Sequence, residues 1–126
     1  MIERHERILS YFDQLIHRDD MTSLLPFRQF LRHIFSRPDV QRCHADVSLT
    51  SVVLCWYPRR DSRHKPVLCC RPATSRNVVL EFQITESMKP LRRITRSANC
   101  GYDLAIEEFE ILWDLFQKTF PADDLT

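Results

Sequence analysis

The chain has 126 residues, 44% of them apolar and 28% charged, with seven prolines and a single glycine. Ordinary usage would supply about nine glycines. Phosphate loops, dinucleotide-binding turns and nucleophile elbows each need glycine at fixed places, so those sites are excluded. The formal net charge of +1 conceals a division: residues 1–58 balance, 59–102 carry ten basic and three acidic groups, and 103–126 carry one basic and seven acidic groups.

In chain order, residues 2–18 read as a helix, with Ile8, Tyr11, Phe12, Leu15 and Ile16 on one stripe. Asp19 and Asp20 break it, and Thr22 and Ser23 offer caps for a second helix over about 23–36. Leu24, Phe27, Phe30, Leu31, Ile34 and Phe35 form the face of that helix. Pro26 falls in its first turn, where a missing N–H costs little, and Arg37-Pro38 closes it. Residues 46–57 alternate and then run solidly apolar from Val52 to Tyr57, as one strand covered on both faces. A basic, proline-bounded loop follows, then strands at 67–71 and 77–85, and a weak fourth at 91–96. Val78, Leu80, Phe82 and Ile84 share one face of the 77–85 strand. The last helix, about 103–119, sets Ala105, Phe109, Leu112 and Phe116 in register, with Asp103 as cap and Glu107, Glu108 and Glu110 near its positive end.

This order predicts one domain spanning 1–126, with about 120–126 as a flexible tail. The fold class is α+β in two layers: two N-terminal helices, a three- or four-stranded antiparallel sheet and one long C-terminal helix. The single glycine, Gly101, precedes the closing helix. A positive φ or a close backbone neighbour is expected there.

The opening Met1–Arg7 is charged where a secretory signal needs an apolar core. The six-residue run Val52–Tyr57 falls far short of the ~20 residues that span a bilayer. Five cysteines, an odd number, read as reduced thiols. A cytoplasmic protein without membrane contact is therefore expected.

Cys43-His44, Cys69-Cys70 and Cys100 bring together residue types that ligate zinc. Adjacent residues on a strand point to opposite faces, so Cys69 and Cys70 cannot both turn to one ion. No metal site and no cofactor are expected. A catalytic cysteine lacks a recognisable histidine partner among His17, His33 and His44. The His44-Ala45-Asp46 spacing reads as a surface hydrogen bond at a strand start. Trp56 and Trp113 read as core residues, with an interface anchor as second choice.

Two surfaces stand out. Arg59, Arg60, Arg63, His64 and Lys65 make a basic loop; Glu107, Glu110 and Asp114 make an acidic helix stripe with a supporting Asp114–Lys118 pair. Arginine outnumbers lysine fifteen to three, which suits forked contacts to carboxylate or phosphate, although a GC-rich genome has the same effect. The helix-helix-sheet order resembles small ribosome-dependent endoribonuclease toxins in outline, sharing no motif, and an acidic closing helix is wrong for contact with ribosomal RNA.

No assembled active site is visible, so an enzyme is not the leading expectation. A small protein-binding module is expected: an inhibitor, immunity-type or antitoxin protein of bacterial or phage origin. It would cover the active site of a toxin or nuclease through the basic loop and the acidic stripe. The alternatives are a metal-independent ribonuclease or RNA-binding domain using His64, Lys65, Arg71 and Arg76, with Arg92, Arg93 and Arg96 nearby, and a chaperone-like homodimer docked through a half-apolar sheet face. Nucleic acid ranks behind protein as partner.

Overall fold

The computed structural model describes residues 2–56, 66–85 and 92–119. Helix α1 (Ile2–His17) buries Ile8, Leu9, Phe12 and Ile16 along the stripe its spacing dictates. The chain then reverses through Asp20, at φ 57°, a left-handed conformation that a short polar side chain tolerates. The Met21 N–H reaches back to Leu15 O at 3.1 Å. A 3-10 turn, Thr22–Leu24, runs into α2 (Leu25–Phe35) with Pro26 in its first turn. Neither start uses a side-chain cap, so Thr22 and Ser23 do not act as expected. α2 buries Phe27, Phe30, Leu31, Ile34 and Phe35.

Arg37-Pro38 does end α2, but it also begins a four-residue helix, α3 (Pro38–Gln41), after one extended residue at Arg37. The predicted strand 46–57 is two strands, β1 (His44–Ser48) and β2 (Ser51–Cys55), folded on each other as a hairpin. Leu49 takes φ 56° in the two-residue turn. No Asn-Gly or Asp-Gly pair marks that turn, which is why an apolar run concealed it. β3 (Val67–Pro72), β4 (Asn77–Thr85) and β5 (Arg92–Gly101) complete an antiparallel sheet in the order β1-β2-β3-β4-β5. The weak fourth strand is thus a ten-residue edge strand, with a bulge opposite Phe82 and Gln83. α4 (Tyr102–Thr119) closes the fold. The class is α+β as expected, with five strands and an extra short helix among the described residues.

Cross-strand register puts Ala45, Val52, Leu54, Leu68, Cys70, Val78, Leu80 and Phe82 on one face, and all belong to the buried cluster that also holds the helix faces. α4 supplies Ala105, Phe109, Leu112, Trp113 and Phe116 to it. Trp113 stacks on Phe109 at 5.8 Å, on Phe116 at 5.4 Å, and lies 5.6 Å from Trp56. Both tryptophans are core residues. Among the described residues, no helix is long and apolar enough to cross a membrane.

Candidate functional site

α4 presents its outer half to solvent because its inner half fills the core. The exposed positions are Asp103, Leu104, Glu107, Glu110, Ile111, Asp114 and Lys118. At 3.6 residues per turn they divide lengthwise. Glu107, Glu110 and Asp114 form one stripe, toward the side of α4 that meets α2 and α3. Leu104 and Ile111, 49% and 51% exposed, lie on the other flank, toward β5. The structure therefore brings the three predicted carboxylates together on one rigid element.

They are not equally free. Arg37 grips Asp39 with both nitrogens of a fork, Nε to Oδ1 and Nη2 to Oδ2, each at 3.1 Å. Its Nη1 donates to Glu110 Oε1 at 3.2 Å. Asp39 in turn accepts Trp113 Nε1–H at 2.8 Å and the Val40 N–H at 2.9 Å. The network fastens the α2–α3 junction to α4. Hydrogen bonding to Asp39 is the main influence that raises the Arg37 guanidinium, with Glu110 and Asp114 adding their charge. Burial would raise the Asp39 carboxyl, but the hydrogen bonds from Arg37 and Trp113 prevail and hold it below its usual value. Glu110 is thus committed within the molecule, whereas no ion pair among the described residues joins Asp114 to Lys118. Arg37 and Asp39 were not singled out in sequence; Asp39 and Trp113 are 74 residues apart, and no local pattern links them.

The basic loop, Arg59, Arg60, Arg63, His64 and Lys65, lies outside the described residues, as does the expected tail at 120–126. Of the other arginines considered for phosphate, Arg71 forms an ion pair with Glu81, and Glu81 is buried. Arg76 and Arg96 are exposed at separate places, one in the β3–β4 turn and one on β5. The sheet face away from the helices is not the open apolar surface expected: Cys55, Val67 and Cys69 are 4%, 1% and 6% exposed.

None of the five cysteines is joined in a disulfide. Cys70 belongs to the helix-side core, whereas Cys69, opposite Val53 and Glu81, faces the other way. Burial pushes the Cys43 and Cys70 thiols well up, so they are poor nucleophiles. Among the described residues no three His, Cys, Asp or Glu side chains converge to hold a metal. Asp46 accepts Arg4 Nη2 at 2.7 Å, tying β1 to α1.

A cavity of about 230 Å³ lies among α1, α2 and α3, lined by His5, Glu6, Leu9, Arg32, Phe35, Ser36 and Gln41. His5 sits 3.0 Å by Nε2 from Cys43 O and stacks on Phe35 at 4.5 Å. A carbonyl can only accept, so Nε2 carries the proton and Nδ1 is the bare nitrogen. Nδ1 is buried without a partner and so has no exposed surface with which to meet a ligand. The cavity's charged rim, Glu6 and Arg32, is exposed and of mixed sign. His5 is a packing residue here, not the base of a site. No protein-family model, curated protein sequence or solved structure matches this chain.

Proposed function

We propose that the chain is a protein-binding module of the inhibitor or immunity type, which docks the outer carboxylates of α4 into a basic cleft of a toxin or nuclease. The observation that carries this reading is the stripe itself. Glu107, Glu110 and Asp114 stand exposed on one face of an 18-residue helix, with Glu110 braced by Arg37 between the other two, and the opposite face is locked into the core by Trp113 and Phe116. A rigid row of carboxylates can stand in for the phosphates such a cleft receives. Complementary charge of that kind speeds encounter and sets register. The basic segment Arg59–Lys65 is a second contact in this reading. The ribonuclease reading has less support, because Arg71 is already engaged by Glu81.

The test is affinity capture with the full chain from the cells that make it, followed by an activity assay on the captured protein. A nuclease or toxin retained at one-to-one stoichiometry and silenced by the chain is the expected result. The paired change Glu107→Lys and Asp114→Lys should release it. Capture that survives both reversals would overturn the reading.

A further inference from the structure

The two edges of the sheet are built differently. β1 is held by α1, where Arg4 Nε donates to Ala45 O at 3.1 Å and Nη2 reaches Asp46. β5, among the described residues, pairs with β4 alone, and Arg96, Ser97 and Asn99 are exposed along it. The Tyr102 N–H donates to Arg76 O at 3.2 Å. Antiparallel bonding alternates residue by residue. Cys100 and Ala98 therefore turn their polar backbone toward β4, while Ser97 and Asn99 turn theirs outward. From Ser97 to Gly101 the side chains are small and uncharged, with none of the lysines or prolines that commonly blunt an open strand. The same edge is overlooked by the aliphatic flank of α4. α2 and α3 occupy the opposite flank, through Phe30–Tyr102, Phe30–Phe109 and Arg37–Glu110. Burial raises the Cys100 thiol of β5, and the charge of Glu108, beside Leu104 and Ile111 on the helical wheel, adds to that rise.

We propose that this edge is a self-association surface and that its occupant is a second copy of the chain. Two copies would pair antiparallel through Ser97–Gly101, joining their sheets and laying their α4 helices side by side. The geometry favours this occupant. α4 packs across β4 and β5, so with strands about 4.8 Å apart its axis stands about 5 Å from the two-fold axis. The two α4 helices are then about 10 Å apart, an ordinary helix-packing distance, and Leu104 and Ile111 meet their counterparts and leave solvent. Charge agrees. Antiparallel pairing brings Arg96 opposite the Cys100–Tyr102 end of the other copy, beside its Asp103, rather than opposite another arginine. The surface is distinct from the carboxylate stripe: Glu107, Glu110 and Asp114 keep facing solvent in the pair.

Light scattering after size exclusion on the full chain reads the outcome as mass. A dimer at twice 15.1 kDa is expected. The double change Leu104→Arg and Ile111→Arg should halve the mass, because both positions are half-exposed and the fold, followed by circular dichroism, stays intact. Asn99→Pro removes one outward donor while leaving those of Ala98 and Cys100, and should weaken the dimer as well. Glu107→Lys with Asp114→Lys should leave the mass unchanged, which separates this test from that of the proposed function. A wild-type chain of monomer mass at every concentration would overturn the proposal. So would a dimer indifferent to the arginine and proline variants, or one abolished by the stripe reversals.

Discussion

Trp113, whose ring is fully buried in the core, donates its one polar hydrogen to Asp39 Oδ2 at 2.8 Å. That bond joins α4 to the four-residue α3, and it orients the residue that holds Arg37. A buried indole N–H without a partner is costly, so Asp39 gives Trp113 the acceptor that lets it lie in the core. Arg37 then extends the fastening to Glu110 at the surface.

Replacing Asp39 with alanine should therefore cost more than its half-exposed position suggests. It strips the acceptor from Trp113, the fork from Arg37 and a partner from the Val40 N–H. A loss of about 2–3 kcal/mol is expected from denaturant unfolding. Trp113→Phe keeps most of the packing and removes only the hydrogen bond, and should lose about 1–2 kcal/mol. The pair of changes should cost less than the two separately. The Asp39 carboxyl is held below its ordinary value of 3.8, so its contribution is whole above that pH and is lost as pH falls through the lowered value. Asp39→Asn should flatten that acid limb.

His5 gives a second pH dependence of the same sign at higher pH. Burial lowers its imidazole from the ordinary 6.5, outweighing the Cys43 carbonyl that would raise it. The unfolded chain binds the proton more readily, so stability is full above 6.5 and declines as pH falls below it. His44 is lowered too, chiefly by burial, and adds to the slope. The melting temperature of wild type should fall through this window, and that of His5→Phe should fall less. An equal slope in the two proteins would show that His5 binds its proton as readily in the fold as in the unfolded chain.

Leu49 carries strain that a substitution can relieve. A leucine at φ 56° costs about 1–2 kcal/mol relative to a residue at home in the left-handed region. At 83% exposed it recovers almost nothing by burial. Its carbonyl accepts Tyr11 Oη–H at 2.7 Å, a bond to backbone that any residue keeps. Leu49→Asn should raise stability by about 1 kcal/mol, seen as a melting point a few degrees higher.

The same residue shows where the sequence stops being legible. Apolar periodicity located α1, α2 and α4 because each buries one stripe, and alternation located β4 to the residue. The β1–β2 hairpin was missed because Leu49 and Thr50 carry no turn chemistry; the strand pairing up to Ser48 and Ser51 and the Tyr11 bond to the Leu49 carbonyl hold the turn instead. α3 was missed because four residues have no periodicity to read. At the candidate site, the stripe on α4 was visible as a spacing. The commitment of Glu110 to Arg37 was not, since it depends on how the α2–α3 junction meets α4. The outer sheet face misled for a related reason: sequence shows which side chains are apolar but not which of them the rest of the chain covers.

Gly101 was expected to need a positive φ or a backbone neighbour, and it has neither constraint in strong form. The described structure contains no glycine in the left-handed region. A Cβ placed there would stand 3.7 Å from Arg76 O, ordinary contact, but 2.5 Å from Asp103 Oδ1. The obstacle is thus a side chain, and an exposed one, able to rotate away. Gly101→Ala should change stability by less than about 1 kcal/mol, because the lower entropy of the unfolded chain offsets the displacement of the carboxylate. In an Asp103→Ala background the obstacle is gone, and the same change should stabilise by about 0.5–1 kcal/mol. A four-variant unfolding cycle reads the coupling directly. If Gly101→Ala cost above about 2 kcal/mol in both backgrounds, the close neighbour would have to be backbone, and the glycine would be there to let the end of β5 pass Arg76.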